Sequence, residues 1–179
     1  MKKTLLYGLA VIVTLALGSC AFAARISPDV AKLLDSRQIN CWVEGELLGD
    51  IVLGSRGSIQ FIYLDEAMSL AIRDDHTLAP WVDDMNQYYG SAGTNKKALF
   101  VVQLESNKPW NVEISKFKVG NYSPKMEDIL SPSWRNPIGS LASGEKGQFA
   151  FVVPITELKS GTEIMVGYGD DLVKWRVPK

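Results

Sequence analysis

His76 is the only histidine of the 179-residue chain, and it is the first candidate for metal binding or acid–base chemistry. Carboxylates with one imidazole could hold a hard cation, and four aspartates lie near His76 in sequence: Asp74, Asp75, Asp83 and Asp84. Their spacing matches neither D-x-D-x-D-G nor H-E-x-x-H. We therefore interpret the segment as a solvated acidic loop, and a metal-dependent enzyme around His76 stays as an alternative.

Covalent catalysis would need a Ser or Cys nucleophile with His76 as its base. The sequence has no G-x-S-x-G elbow, no phosphate-binding P-loop motif and no dinucleotide-binding fingerprint. We therefore expect a protein that is not an enzyme and that holds no cofactor.

Clustered aromatic residues are the candidates for ligand binding. Trp81, Tyr88 and Tyr89 lie close together in sequence, while Trp110 and Trp134 lie in or beside predicted turns. Exposed aromatic rings stack on sugars or anchor a partner protein. The same rings could instead pack over the edges of a sheet as a small satellite core, and we favour that interpretation.

The N-terminal segment, residues 1–23, has the pattern of an export signal. Two lysines precede an apolar run at residues 4–17, which is short for a membrane span. Residues 17–20, LGSC, resemble a bacterial lipobox that would lipidate Cys20, whereas residues 21–23, AFA, resemble an ordinary cleavage site. We favour a lipoprotein anchored to the outer or cytoplasmic membrane; cleavage after Ala23 would give a periplasmic or secreted protein.

The charge of the chain argues against a nucleic-acid partner. The net charge is −1, and lysines and arginines are interspersed with acidic residues rather than clustered.

Removal of the export signal leaves Cys41 without an intrachain partner. Because the neighbours of Cys41 are largely apolar, we expect it to be a buried small side chain rather than a reactive thiol.

The elements that would position these residues are mainly strands. Residues 24–38 predict a helix that Ser27 caps and Pro28 opens. Strand patterns follow at residues 39–53, with a tight turn at Gly49-Asp50, and at residues 58–64. For residues 65–75 the apolar period fits both a strand and a helix, and we favour the strand.

We interpret residues 74–95 as a surface insertion, with a predicted helix from Pro80 to a glycine cap at Gly90. Strands resume at residues 98–104 and 112–119, the latter with a bulge near residues 115–116, and again at 148–153. A final hairpin pairs residues 163–168 with 172–177. We expect five residues in the core: Phe100, Val102, Phe149, Phe151 and Trp175.

Residues 96–177 resemble the immunoglobulin-like, telokin-like sandwich domain of bacterial exported lipoproteins. The likeness rests on the strand at 99–104 behind two lysines, the turn SNKP at 106–109, and GEKG at 144–147 before the next strand. The resemblance implies an immunoglobulin-like sandwich and no catalytic residues. With the strand patterns that begin at residue 39, we expect a mainly β protein: an antiparallel sandwich at residues 39–179 with a short N-terminal helix before it and a partly helical insertion.

The sequence thus predicts an exported, envelope-associated protein that binds an unknown protein or glycan without catalysis. The first alternative is a carbohydrate or cell-wall binding module that uses Trp81, Tyr88 and Tyr89.

Overall fold

The computed structural model of the chain describes residues 27–49, 51–74 and 78–179. The predicted export signal with Cys20 lies outside these residues, and so does His76. The described part is mainly β, with antiparallel sheets and three α-helices. The helices are α1 (Pro28–Arg37), α2 (Glu66–Asp74) and α3 (Pro80–Asn86).

The strands, in chain order, are β1 (Gln38–Val43), β2 (Glu46–Leu48), β3 (Ile51–Leu53), β4 (Gly57–Leu64), β5 (Lys97–Ser106), β6 (Trp110–Val112), β7 (Phe117–Val119), β8 (Gly139–Leu141), β9 (Lys146–Pro154), β10 (Glu163–Tyr168) and β11 (Asp171–Arg176). The larger sheet has four strands in the order β1-β4-β5-β9, and a second sheet has three in the order β11-β10-β7. The pairs β2–β3 and β6–β8 form two small two-stranded antiparallel sheets.

A core rich in phenylalanine lies between the larger sheet and the three-stranded sheet. Phe100, Phe149 and Phe151 point from the larger sheet, and Phe117 and Trp175 come from the other. Phe117 meets Phe149 edge to face, with ring centroids 5.4 Å apart. The five predicted core residues are confirmed, since all are buried.

A second core lies on the outer face of the larger sheet, beneath the three helices. It includes Val30 of α1, Met68 of α2 and Met85 of α3, packed on apolar side chains of β4, β5 and β9. The central strand β5 is therefore covered on both faces along part of its length, which explains its continuous run of apolar residues. The insertion at 74–95 was predicted to lie on the surface, but part of it contributes to this core, because α3 buries Val82 and Met85 there.

The prediction of a strand at residues 65–75 is wrong, because most of this segment forms α2. The carboxylate of Asp65 accepts a hydrogen bond from the Met68 N–H (2.9 Å), as an N-cap does. Met68 and Ile72 face the core four residues apart, while Leu70 is exposed. The alternation of Met68, Leu70 and Ile72 thus arises because Met68 and Ile72 lie on the apolar face of a helix and Leu70 lies on its exposed side.

Several local predictions are confirmed with small corrections. Ser27 caps α1, accepting from the Val30 N–H. The helix from Pro80 is shorter than predicted, and Gly90 follows it in a turn at φ +76°. The predicted bulge near residues 115–116 is instead a short 3-10 helix, Ile114–Lys116.

Candidate functional site

The predicted acidic cluster is only partly described, because Asp75 and His76 lie outside the described residues. Asp74 is exposed at the end of α2, and Asp84 pairs with the Arg135 guanidinium at 3.3 Å. Within the described ranges, no group of three or more His, Cys, Asp or Glu side chains could hold a metal ion.

The predicted aromatic residues Trp81, Tyr88 and Tyr89 are half-buried and pack against the core beneath the helices. Burial, together with the nearby carboxylates of Glu66 and Asp65, raises the pKa of the Tyr89 phenol. This geometry favours the satellite-core interpretation, because rings that already pack on the fold offer a ligand less free surface.

The two other tryptophans that the sequence singled out have opposite environments. Trp110 is buried and meets Tyr168 edge to face at 5.1 Å. Trp134 is 76% exposed, and the Arg135 guanidinium lies 4.9 Å from its ring centroid. Trp134 is therefore an available aromatic ring, and the ion pair of Arg135 with Asp84 brings its segment against α3.

Exposed apolar side chains also occur on the β2–β3 pair. Leu48 and Ile51 are directly opposite each other in register, and Leu53 follows on the same face. All three are exposed. Among the described residues of β2 and β3, Glu46 is the one polar side chain on this face that could orient a ligand.

The outer face of the larger sheet changes character along its strands. Near the helices its outward residues are apolar and form two rows in register, Leu64–Leu99–Val152 and Ile62–Val101–Ala150. These rows lie in the core beneath the helices. Beyond them the outward residues become polar and are not part of either core, so half of this face is open.

The first open row consists of four amide side chains, one from each strand of the sheet. The register pairs Asn40 with Gln60, Gln60 with Gln103, and Gln103 with Gln148. Because neighbouring strands lie about 4.8 Å apart, the row extends roughly 14 Å across the sheet. We call this row of four the amide row.

The second open row pairs Trp42 with Ser58, Ser58 with Glu105, and Glu105 with Lys146. Trp42 lies on the edge strand and is 43% exposed. The Lys146 ammonium and the Glu105 carboxylate form an ion pair at 3.0 Å. The small Ser58 side chain leaves space between the Trp42 ring and Glu105.

A depression of about 350 Å³ lies on this open face, lined by Asn40, Trp42, Ser58, Ile59, Gln60, Gln103 and Glu105. Three residues of the amide row and three of the second row thus line one hollow, while Gln148 and Lys146 of β9 are not among its lining residues. Its groups can donate and accept hydrogen bonds and can stack on an apolar surface. The Ser58 hydroxyl and the Glu105 carboxylate are cross-strand neighbours here, and the Glu105 carboxylate is paired with the Lys146 ammonium.

A second depression, of about 450 Å³, lies where Tyr89 and the following loop meet the start of β5. Its two lysines are Lys96 and Lys97, and the Lys97 ammonium is 3.4 Å from the Asp128 carboxylate. One of its two positive charges is therefore already paired within the protein.

Sequence reasoning missed the open face entirely. Gln60, Gln103 and Gln148 are about forty residues apart in sequence, which follows from their positions in three separate strands. The available signal was an outward polar residue within each apolar strand, but only the register shows that these residues lie side by side.

Comparison of the chain with protein-family models, with curated proteins and with solved structures gives no match. Among the described residues, no helix is long and apolar enough to cross a membrane.

Proposed function

We propose that this protein is an exported, envelope-associated binding protein without enzymatic activity, and that its ligand lies on the open half of the larger sheet. The observation that carries this proposal is the abrupt change of the outer face from apolar rows to the amide row, with the exposed Trp42 beside it. The alternative built on Trp81, Tyr88 and Tyr89 has less support, because these rings are half-buried.

We further propose that the two main sheets form a β-sandwich related to immunoglobulin-like domains in architecture. The shared phenylalanine core between the sheets supports this. The strand order differs from that of an immunoglobulin constant domain, where the second strand lies beside the fifth. Here β4, the second strand of the two main sheets, lies beside β5, the third. The proposed relation therefore concerns architecture and not strand order.

Export and a lipid anchor at Cys20 are proposed from residues 1–23 alone. Cys20→Ser should move the protein from the membrane fraction to the soluble fraction and change the size of the processed chain. Unchanged membrane attachment and processing would show that the protein is not a lipoprotein. The same variant supplies a form free of lipid for binding experiments.

The location of the ligand can be tested by sedimentation with washed envelope fractions. The protein carrying Cys20→Ser should co-sediment, and the added pair Trp42→Ala and Gln103→Ala should abolish this. The matched control pair is Trp134→Ala and Gln87→Ala, because Trp134 is the more exposed tryptophan and Gln87 is an exposed glutamine. Equal co-sedimentation of both pairs would refute binding through the open face.

A further inference from the structure

We infer that the ligand of the open face is an uncharged glycan, lying across the strands with one sugar ring seated over Ser58 between Trp42 and Glu105. This inference rests on the proposed function, since it names the ligand class of the same face.

The charge of the face favours an uncharged ligand. The amide row is neutral, and the two charged side chains beside it, Glu105 and Lys146, neutralise each other at 3.0 Å. An acidic polymer or a nucleic acid needs clustered lysine or arginine side chains. A hard cation would need several carboxylates, and Glu105 is the only one lining the depression.

The face is also a poor match for a protein partner or a lipid surface. The cores of protein interfaces are enriched in aromatic residues and methionine, whereas Trp42 is the only large apolar side chain of the two open rows. A lipid surface would require several apolar side chains together. The remaining class is a hydrated, uncharged molecule rich in hydroxyl or amide groups.

The amide row has hydrogen-bonding capacity left for such a molecule. Each primary amide offers two N–H donors and an oxygen acceptor. Asn40 accepts one hydrogen bond from the Gln38 side chain at 3.2 Å. Within the described part of the chain, no protein group hydrogen-bonds the side chains of Gln60, Gln103 and Gln148. Sugar hydroxyls both donate and accept, so they complement neutral amides in either orientation.

The shape of the hollow places a sugar ring over Ser58. Trp42 and Glu105 flank Ser58 in the second row, and the amide row borders it along the neighbouring register position. The apolar face of a pyranose ring can stack on an indole ring, while its hydroxyls reach the amides. The roughly 14 Å length of the amide row allows a chain of linked sugars to continue across the strands.

The test uses the mature protein carrying Cys20→Ser and probes of known chemistry. These are a glucose oligomer, an N-acetylglucosamine oligomer, polygalacturonic acid and a polyglutamate peptide, each measured by calorimetry at low and high salt. We expect one of the two neutral oligomers to bind with little dependence on salt, because no net charge is neutralised. Failure of both neutral oligomers to bind overturns the inference, as does preferential binding of an acidic probe.

Variants locate the binding. Gln60→Ala or Gln103→Ala should lower the affinity for the neutral oligomer roughly threefold to tenfold, as loss of one neutral hydrogen bond does. Ser58→Phe should abolish binding by filling the hollow, although it removes none of the amides, and a phenylalanine suits a half-buried strand position. Trp134→Ala, the control, should bind normally. Unchanged binding by Ser58→Phe with a normal melting temperature would refute the seat over Ser58.

The sedimentation experiment separates this inference from the proposed function. If the open-face variants lose envelope binding while no neutral glycan binds the wild type, the face is a binding site for another ligand class. If gel filtration instead shows a dimer that Ser58→Phe dissociates, a second copy of the chain occupies the face. Either result overturns the assignment of a glycan ligand, and the second identifies the occupant as another copy of the chain.

Discussion

Asp65→Ala should lower the free energy of unfolding by about 2.5–4 kcal/mol, although Asp65 belongs to neither core. Its carboxylate caps α2 through the Met68 N–H, and loss of an N-cap costs about 1 kcal/mol. The same carboxylate accepts two hydrogen bonds from Arg37, at 2.9 and 2.6 Å. Loss of hydrogen bonds between charged groups adds about 1.5–3 kcal/mol.

The Arg37 side chain is only 7% exposed, so the substitution leaves its charge poorly hydrated and without its carboxylate partner. For a domain of this size, about 1 kcal/mol shifts the melting temperature by about 2–4 °C. We therefore expect thermal unfolding, followed by circular dichroism, to shift downward by roughly 5–15 °C.

The matched control is Glu163→Ala, which also removes a carboxylate with two basic partners. Glu163 pairs with Lys174 at 3.8 Å and Arg176 at 3.0 Å, and all three side chains are at least 46% exposed. Exposed pairs contribute roughly 0–1 kcal/mol, so the control should melt almost like the wild type. Equal shifts for Asp65→Ala and Glu163→Ala would refute the reasoning that burial decides the size of the effect.

Three further predictions concern the interior. Phe100→Ala and Phe151→Ala should each lower the free energy of unfolding by about 3–5 kcal/mol, measured by urea denaturation, and near-wild-type stability for both would mean that the core is wrongly assigned. The Cys41 thiol, whose pKa is raised to about 11 by burial and by the Asp171 carboxylate, should react with a thiol reagent at pH 8 only after unfolding; rapid labelling of the folded protein would contradict this. The hydrogen bond from Tyr122 to Asp128 raises the pKa of Tyr122 to about 12, so its stabilising effect is complete below an unfolded-state pKa of about 10 and is lost as the pH rises through the folded value. The stability advantage of the wild type over Tyr122→Phe should therefore shrink between about pH 10 and 12, and an unchanged difference across this range would disprove the assignment.

Local sequence signals predicted much of the fold. Ser27 and Pro28 marked the start of α1 because capping depends on adjacent residues. The continuous apolar run at residues 98–104 predicted a strand, and the structure buries that strand, β5, between the helices and the second sheet. These features need no knowledge of distant partners.

Structural features that depend on residues distant in sequence could not be predicted from the sequence. The segment after Asp65 becomes a helix partly because Arg37, 28 residues earlier, holds the capping carboxylate. The candidate site depends still more on distance, because each of its strands contributes only one or two polar residues. The sequence contains these residues, but the register that aligns them is a property of the folded sheet.

The extent of the helical layer and the identity of the outward residues are consistent with each other. Going from Ile62 to Gln60 on β4, from Val101 to Gln103 on β5, and from Ala150 to Gln148 on β9, the outward position changes from apolar to amide at the same register. Covering the amide row with another apolar helix would desolvate the side-chain amides of Gln60, Gln103 and Gln148, which have no hydrogen-bond partner within the described part of the chain, at about 1–3 kcal/mol for each unsatisfied group. Apolar residues at these positions would instead extend the core and stabilise the sheet. The polar residues of the amide row therefore match a part of the sheet face that none of the three described helices covers.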